Sequence, residues 1–79
     1  MQIHLTYYAI LRERRGLDRE TVDVSDGSLR TLYQGLRQAY DFPYDERHIR
    51  PAVNDAFCPW EKAIADGDHV VFVSPVAGG

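Results

Sequence analysis

The sequence predicts an α+β fold, with one helix laid across one face of a mixed sheet. Three features carry that expectation: a period-two strand pattern at the N-terminus, one amphipathic helix in the middle, and an apolar strand close to the C-terminus. A chain of 79 residues reads as one domain, 1–79, with residues 74–79 as a flexible functional tail. A domain near this size withdraws only roughly 60% of its unfolded surface from water.

The first strand covers residues 2–8, where Ile3, Leu5 and Tyr7 share one face and Gln2, His4, Thr6 and Tyr8 the other. A polar stretch ending in Gly16 follows, in a loop or short helical turn, and glycine there suits a turn with positive φ. Thr21-Val22-Asp23-Val24 reads as a second strand, paired with the first in a hairpin with a long loop. Ser28 is placed as an N-cap. Leu29, Leu32, Tyr33, Leu36 and Ala39/Tyr40 then recur at helical spacing, with Arg30, Gln34, Arg37 and Gln38 opposite, for about three turns. Gly35 lies inside this helix at a cost of roughly 1 kcal/mol, and Pro43 prevents its continuation.

Residues 41–50 read as irregular. Pro51-Ala52-Val53 leads into an Asn54-Asp55 turn, and Ala56-Phe57-Cys58 returns as a short strand. Pro59 through Ala65 is a connection with one helical turn, and Asp66-Gly67-Asp68 a second turn. The last strand, His69-Val70-Val71-Phe72-Val73, is apolar on both faces, which predicts a central strand covered on both sides. The order fits a β-grasp fold.

Composition narrows the function. A formal charge of −3 and a pI near 5.4 argue against a nucleic-acid partner, which calls for a basic face. The one basic cluster, Arg12-Glu13-Arg14-Arg15, contains an acid and reads as a solvated segment. Cys58 is the only cysteine, so a reducing, cytoplasmic setting is expected. It reads as a small apolar filler, with no local base to make it a relay thiol. No apolar run suits a membrane partner. His4, His48 and His69 lack ligand spacing, so no metal site is expected. Asp66 and Asp68 read as turn residues, and Trp60 as packing beneath its connection.

Four segments together are similar to one family. They are Tyr7-Tyr8-Ala9-x-Leu11-Arg12-Glu13-x-x-Gly16, then Ala52-Val53-Asn54, then Asp66-Gly67-Asp68-x-Val70, and last Pro75-Val76-Ala77-Gly78-Gly79. Each is common alone. In this order and spacing they resemble the ubiquitin-like small subunit of molybdopterin synthase, from end to end of the chain. Tyr7 and Tyr8 stand where the family commonly has Phe, and the Phe57-to-Ile64 stretch, with Cys58-Pro59-Trp60, is less typical.

The resemblance implies a non-catalytic sulfur carrier. An E1-like adenylyltransferase would activate the Gly79 carboxylate with ATP, and sulfur transfer would leave a 1-thioglycine there. The tail, Pro75, Val76, Ala77 and Gly78, would then enter the channel of the synthase large subunit, within a heterotetramer. Sulfur passes there to cyclic pyranopterin monophosphate, and no cofactor is held tightly by the carrier. The family's large-subunit contacts fall at Tyr8, Phe57 and Val73, and Val71 shares a strand face with Val73. Two alternatives stand beside this: a sulfur carrier for thiamine thiazole synthesis, and a ubiquitin-like modifier of target lysines. The Ala9-x-Leu11-Arg12-Glu13 segment favours the molybdopterin branch.

The chemistry suits the terminus. A carboxylate is a poor electrophile until it carries a good leaving group. Glycine, without a Cβ, lets the backbone approach channel walls closely. Residues 74–79 reach on the order of 20 Å when extended, and Pro75 stiffens their base.

Overall fold

The hairpin, helix and late strand come together in a computed structural model that describes residues 1–75. The strands are β1 (Gln2–Thr6), β2 (Arg19–Asp23), β3 (Arg50–Val53), β4 (Ala56–Phe57) and β5 (His69–Val73), and the helices are α1 (Ala9–Arg15) and α2 (Leu29–Tyr40). Sheet order is β2-β1-β5-β3-β4. β1 is antiparallel to β2 and parallel to β5, while β3 is antiparallel to both β4 and β5. The first and last strands thus sit side by side at the centre, the arrangement expected of a β-grasp.

Helix α2 forms where the apolar spacing placed it. Ser28 Oγ accepts the Thr31 N–H at 3.1 Å, satisfying one of the otherwise unpaired first-turn donors. The helix stops at Asp41, a C-cap with φ 58°, two residues before Pro43. Leu29, Tyr33 and Leu36 face the sheet and meet Ile3, Leu5, Val53, Val70 and Phe72 in one core. Tyr33 lies 5.0 Å from Phe72 between ring centroids. Trp60 stacks on Phe72 at 5.7 Å, so it packs as its connection required. Burial pushes the Tyr33 phenol up to about 12, and its hydroxyl donates to the Tyr44 carbonyl at 2.6 Å.

Several local expectations are corrected. Of the loop and the short helical turn expected before Gly16, the helical alternative holds and is longer, a seven-residue helix formed as Leu11 is drawn fully into the core. Gly16 closes it at φ 88°. The regular first strand ends at Thr6, although the Tyr7 N–H still donates to the Asp18 carbonyl at 2.8 Å. Strand β2 starts two residues earlier than its apolar residues suggested, because Arg19 and Glu20 stay in register with Thr6 and Leu5. Residues 46–48 form a 3-10 turn, and β3 begins at Arg50. The 59–65 connection holds a turn and an Ala63 bridge to Ser28 in place of a helical turn. Strand β5 is central but covered on one face only: Val70 and Phe72 are buried, whereas His69, Val71 and Val73 are half-buried.

Candidate functional site at the open face and tail root

The tail leaves the sheet from the end of β5, so whatever fixes β5 fixes its origin. Two of the recurring segments do this by meeting each other. Asn54 Oδ1 accepts the His69 N–H at 2.9 Å, and Asn54 Nδ2 donates to Asp68 Oδ1 at 3.0 Å. Asp68 Oδ2 accepts the Ala65 N–H at 2.9 Å, and that bond with the Asn54 contact holds its carboxyl below the usual range. Asp66 Oδ1 accepts the Gln2 N–H at 2.6 Å. Asn54 and Asp55 carry φ of 51° and 70°, as a two-residue hairpin turn requires. Asp66 and Asp68 are therefore braces of the β5 entry.

At the far end of β5, Ser74 is half-buried and Pro75 exposed. Val76, Ala77, Gly78 and Gly79 lie outside the described residues, and so do the roles expected of them.

The open face of the sheet carries the remaining site residues. The register aligns Val71, Ala52 and Phe57 across β5, β3 and β4 in one row. Phe57 is 56% exposed, and the Arg50 guanidinium lies 4.1 Å from its ring centroid, a cation–π contact. Val73 is opposite Arg50. Tyr8, 58% exposed, caps α1 with extended backbone, and Ala9 at φ 52° turns the chain into the helix. Tyr8, Ala9, Ile10, Glu13, Tyr44, Val73, Ser74 and Pro75 line a concavity of about 640 Å³. The fold thus brings Tyr8, Val73 and Pro75 together at the tail root, and places Phe57 and Val71 beside them on the open face. Tyr8 and Phe57 are the exposed aromatic side chains of this region, and Arg50 lies between Phe57 and Val73.

The sequence reading missed Ile10, Tyr44 and Arg50 at this site. Arg50 was within reach: a two-residue turn at Asn54-Asp55 sets Ala52 opposite Phe57, and Arg50 is two residues along the same face. Ile10 and Tyr44 had no such signal, since each comes from a segment whose path only the tertiary fold defines.

Behind these residues, a half-buried network ties α1 to the hairpin. Glu20 accepts from Arg15 Nε and Nη2, both at 2.8 Å, and from the Tyr7 hydroxyl at 2.6 Å. Arg15 also lies over the Tyr40 ring at 4.3 Å. Arg15 holds the Glu20 carboxyl below the usual range, with Tyr7 assisting. Burial, then the Glu20 contact, pushes the Tyr7 phenol well up. Arg14 Nη1 reaches Asp41 Oδ2 at 3.0 Å, so Arg14 and Arg15 of the basic cluster are engaged with carboxylates.

Cys58 Sγ faces the Pro51 carbonyl at 3.8 Å, and burial raises its thiol, which disfavours the thiolate a relay needs. His4 and His69 are hydrogen-bonded to Thr21 and Thr6. No helix among the described residues is long and apolar enough to cross a membrane.

A five-stranded mixed sheet crossed by one main helix defines a ubiquitin-like protein of the β-grasp class. The profile of the ThiS family matches residues 5–79. The chain belongs to the ThiS family, and with it to the ubiquitin-like sulfur carriers. It is 32% identical to the molybdopterin synthase sulfur carrier subunit of Mycobacterium tuberculosis, over 100% of this chain and 99% of that protein. Among solved structures it is similar to SAMP1 from Haloferax volcanii, with TM-score 0.80 and 25% identity over 100% of both chains. It is also similar to a putative molybdopterin converting factor, subunit 1, from Pyrococcus furiosus. There the TM-score is 0.78 and the identity 26%, over 96% of this chain and 99% of that one.

Proposed function

We propose that this protein is the sulfur carrier subunit of a molybdopterin synthase, working through a thiocarboxylate at Gly79. The observation that carries the reading is the full-length similarity to a carrier subunit of that synthase, in a chain that ends Gly78-Gly79.

The carrier is not itself a catalyst. A partner adenylyltransferase joins the Gly79 carboxylate to AMP and releases pyrophosphate from ATP. Sulfur from a donor then displaces AMP, leaving the thiocarboxylate. In the synthase large subunit the terminus gives up this sulfur to cyclic pyranopterin monophosphate. The exposed face of Tyr8, Phe57, Val71 and Val73 would seat the large subunit, so that Pro75, Val76, Ala77 and Gly78 enter its channel. Burying exposed aromatic and branched side chains at the tail root would hold the terminus in place at the reacting centre, where misplacement by about 1 Å can cost a hundredfold in rate.

A second reading is a ubiquitin-like modifier, in which the activated terminus is passed to lysine amines. Intact mass after co-expression with the activating enzyme separates the two. A thiocarboxylate adds about 16 Da, from exchange of one oxygen for sulfur, whereas conjugation yields isopeptide adducts on other proteins. Deleting Gly79 should abolish the mass gain and molybdopterin formation while the domain stays folded. Molybdopterin formed at the normal rate by the truncated chain would refute the carrier reading.

A further inference from the structure

Strand β2 is an edge of the sheet, and its free side has a specific pattern. Val24 N–H donates to the Met1 carbonyl and Tyr7 N–H to the Asp18 carbonyl, in the register that pairs Ile3 with Val22 and Leu5 with Glu20. Antiparallel pairing alternates. Residues 18, 20, 22 and 24 therefore turn their backbone groups toward β1, and Arg19, Thr21 and Asp23 turn theirs outward. Edge strands usually carry charges that would repel a second copy. Here the charges do the reverse. If Arg19-Glu20-Thr21-Val22-Asp23 is laid antiparallel on itself about Thr21, Arg19 meets Asp23 at both ends. The outward-facing residues, 19, 21 and 23, are also the ones that must exchange hydrogen bonds in that register.

The groove beside this edge agrees. Val22, Val24, Leu32, Gly35 and Leu36 line a concavity of about 290 Å³ between β2 and α2, with Asp23 and Asp26 on its rim. Gly35 weakens an exposed helix interior, yet a Cβ there would have no atom within 4 Å. No packing among the described residues calls for glycine, and they leave the space over the groove open.

We infer that β2 is a self-complementary docking edge, which pairs two copies of this chain antiparallel about Thr21 into one continuous sheet. The two-fold axis runs normal to the sheet. Arg19 faces the partner's Asp23 on each side, and both α2 helices lie on the same face, so the two apolar grooves adjoin across the seam. Such an interface is isologous and of modest size, giving a weak dimer. Strand β5 lies two strands away, so both tail roots stay free and point in opposite directions. Asp23 already holds the Met1 amine at 3.3 Å, but its side chain is 85% exposed and keeps a second oxygen for the partner's Arg19.

The test is sedimentation equilibrium of the full chain from micromolar to millimolar concentration. Arg19→Asp places two like-charge pairs in the dimer and should weaken it on the order of tenfold. Combining Arg19→Asp with Asp23→Arg restores opposite charges and should restore dimerisation. Thr21→Pro removes an outward N–H that β1 does not use, and should abolish pairing with the far-UV spectrum unchanged. A chain that stays monomeric at millimolar concentration would overturn the proposal and leave the groove to another protein. A dimer indifferent to these changes, or one that the paired substitution fails to restore, would overturn it equally.

Discussion

The Tyr7–Glu20–Arg15 network should behave as one unit, and Glu20→Ala exposes this. The Tyr7 hydroxyl is in a side chain only 1% exposed, and Glu20 is its acceptor. Removing that acceptor strands a buried donor, at about 1–3 kcal/mol. The two-pronged Arg15 pair, with side chains 21% and 17% exposed, contributes about 1 kcal/mol more. The expected loss of roughly 2–4 kcal/mol corresponds to a fall in melting temperature of roughly 10–25 °C for a domain of this size. Tyr7→Phe alone should cost about 1 kcal/mol. In the double variant no hydroxyl is stranded, so the combined loss should fall short of the sum by about 1–2 kcal/mol. Urea denaturation of the four proteins at neutral pH reads this directly. Losses that add to within about 0.5 kcal/mol would refute the unit. The pH dependence has a definite sign. Arg15, then Tyr7, depresses the Glu20 carboxyl in the folded state. Its contribution is therefore complete above the ordinary glutamate value of about 4.3, and is lost as pH falls through the lower folded value. Glu20→Gln should lack this part of the acid transition.

Replacing Tyr8, Phe57 or Val73 by Asp should weaken large-subunit binding by several kcal/mol, since an unpaired charge enters a dry contact. Titration calorimetry would show this with the melting temperature nearly unchanged, and lost stability with intact binding would mean that these residues serve the core. Gly35→Ala should stabilise the monomer by about 1 kcal/mol in urea denaturation, because a Cβ there meets no atom within 4 Å; a loss of stability would show that the helix needs glycine.

Much of the fold was legible locally because its signals are local. The alternation of Ile3 and Leu5, the spacing of Leu29, Tyr33 and Leu36, the Ser28 cap and the Asn54-Asp55 turn each depend on near neighbours in the chain. Helix α1 was legible only as one of two alternatives, a loop or a short helical turn. Seven residues are too few to hold a helix alone, and this one exists because Leu11 is buried and Arg15 finds Glu20.

The sequence by itself determined the α+β class and the family to which the chain belongs. Those follow from periodicity and from motifs that read the same whatever surrounds them. Only the tertiary structure decided that one face of β5 stays open. It alone brought Tyr8 and Tyr44 to the tail root and left β2 as a free edge. Each of these depends on contacts between residues far apart in the chain, where strand neighbours are chosen by burial of the common core and by hydrogen-bond register. Residue type at a single position carries no record of which distant strand will lie beside it.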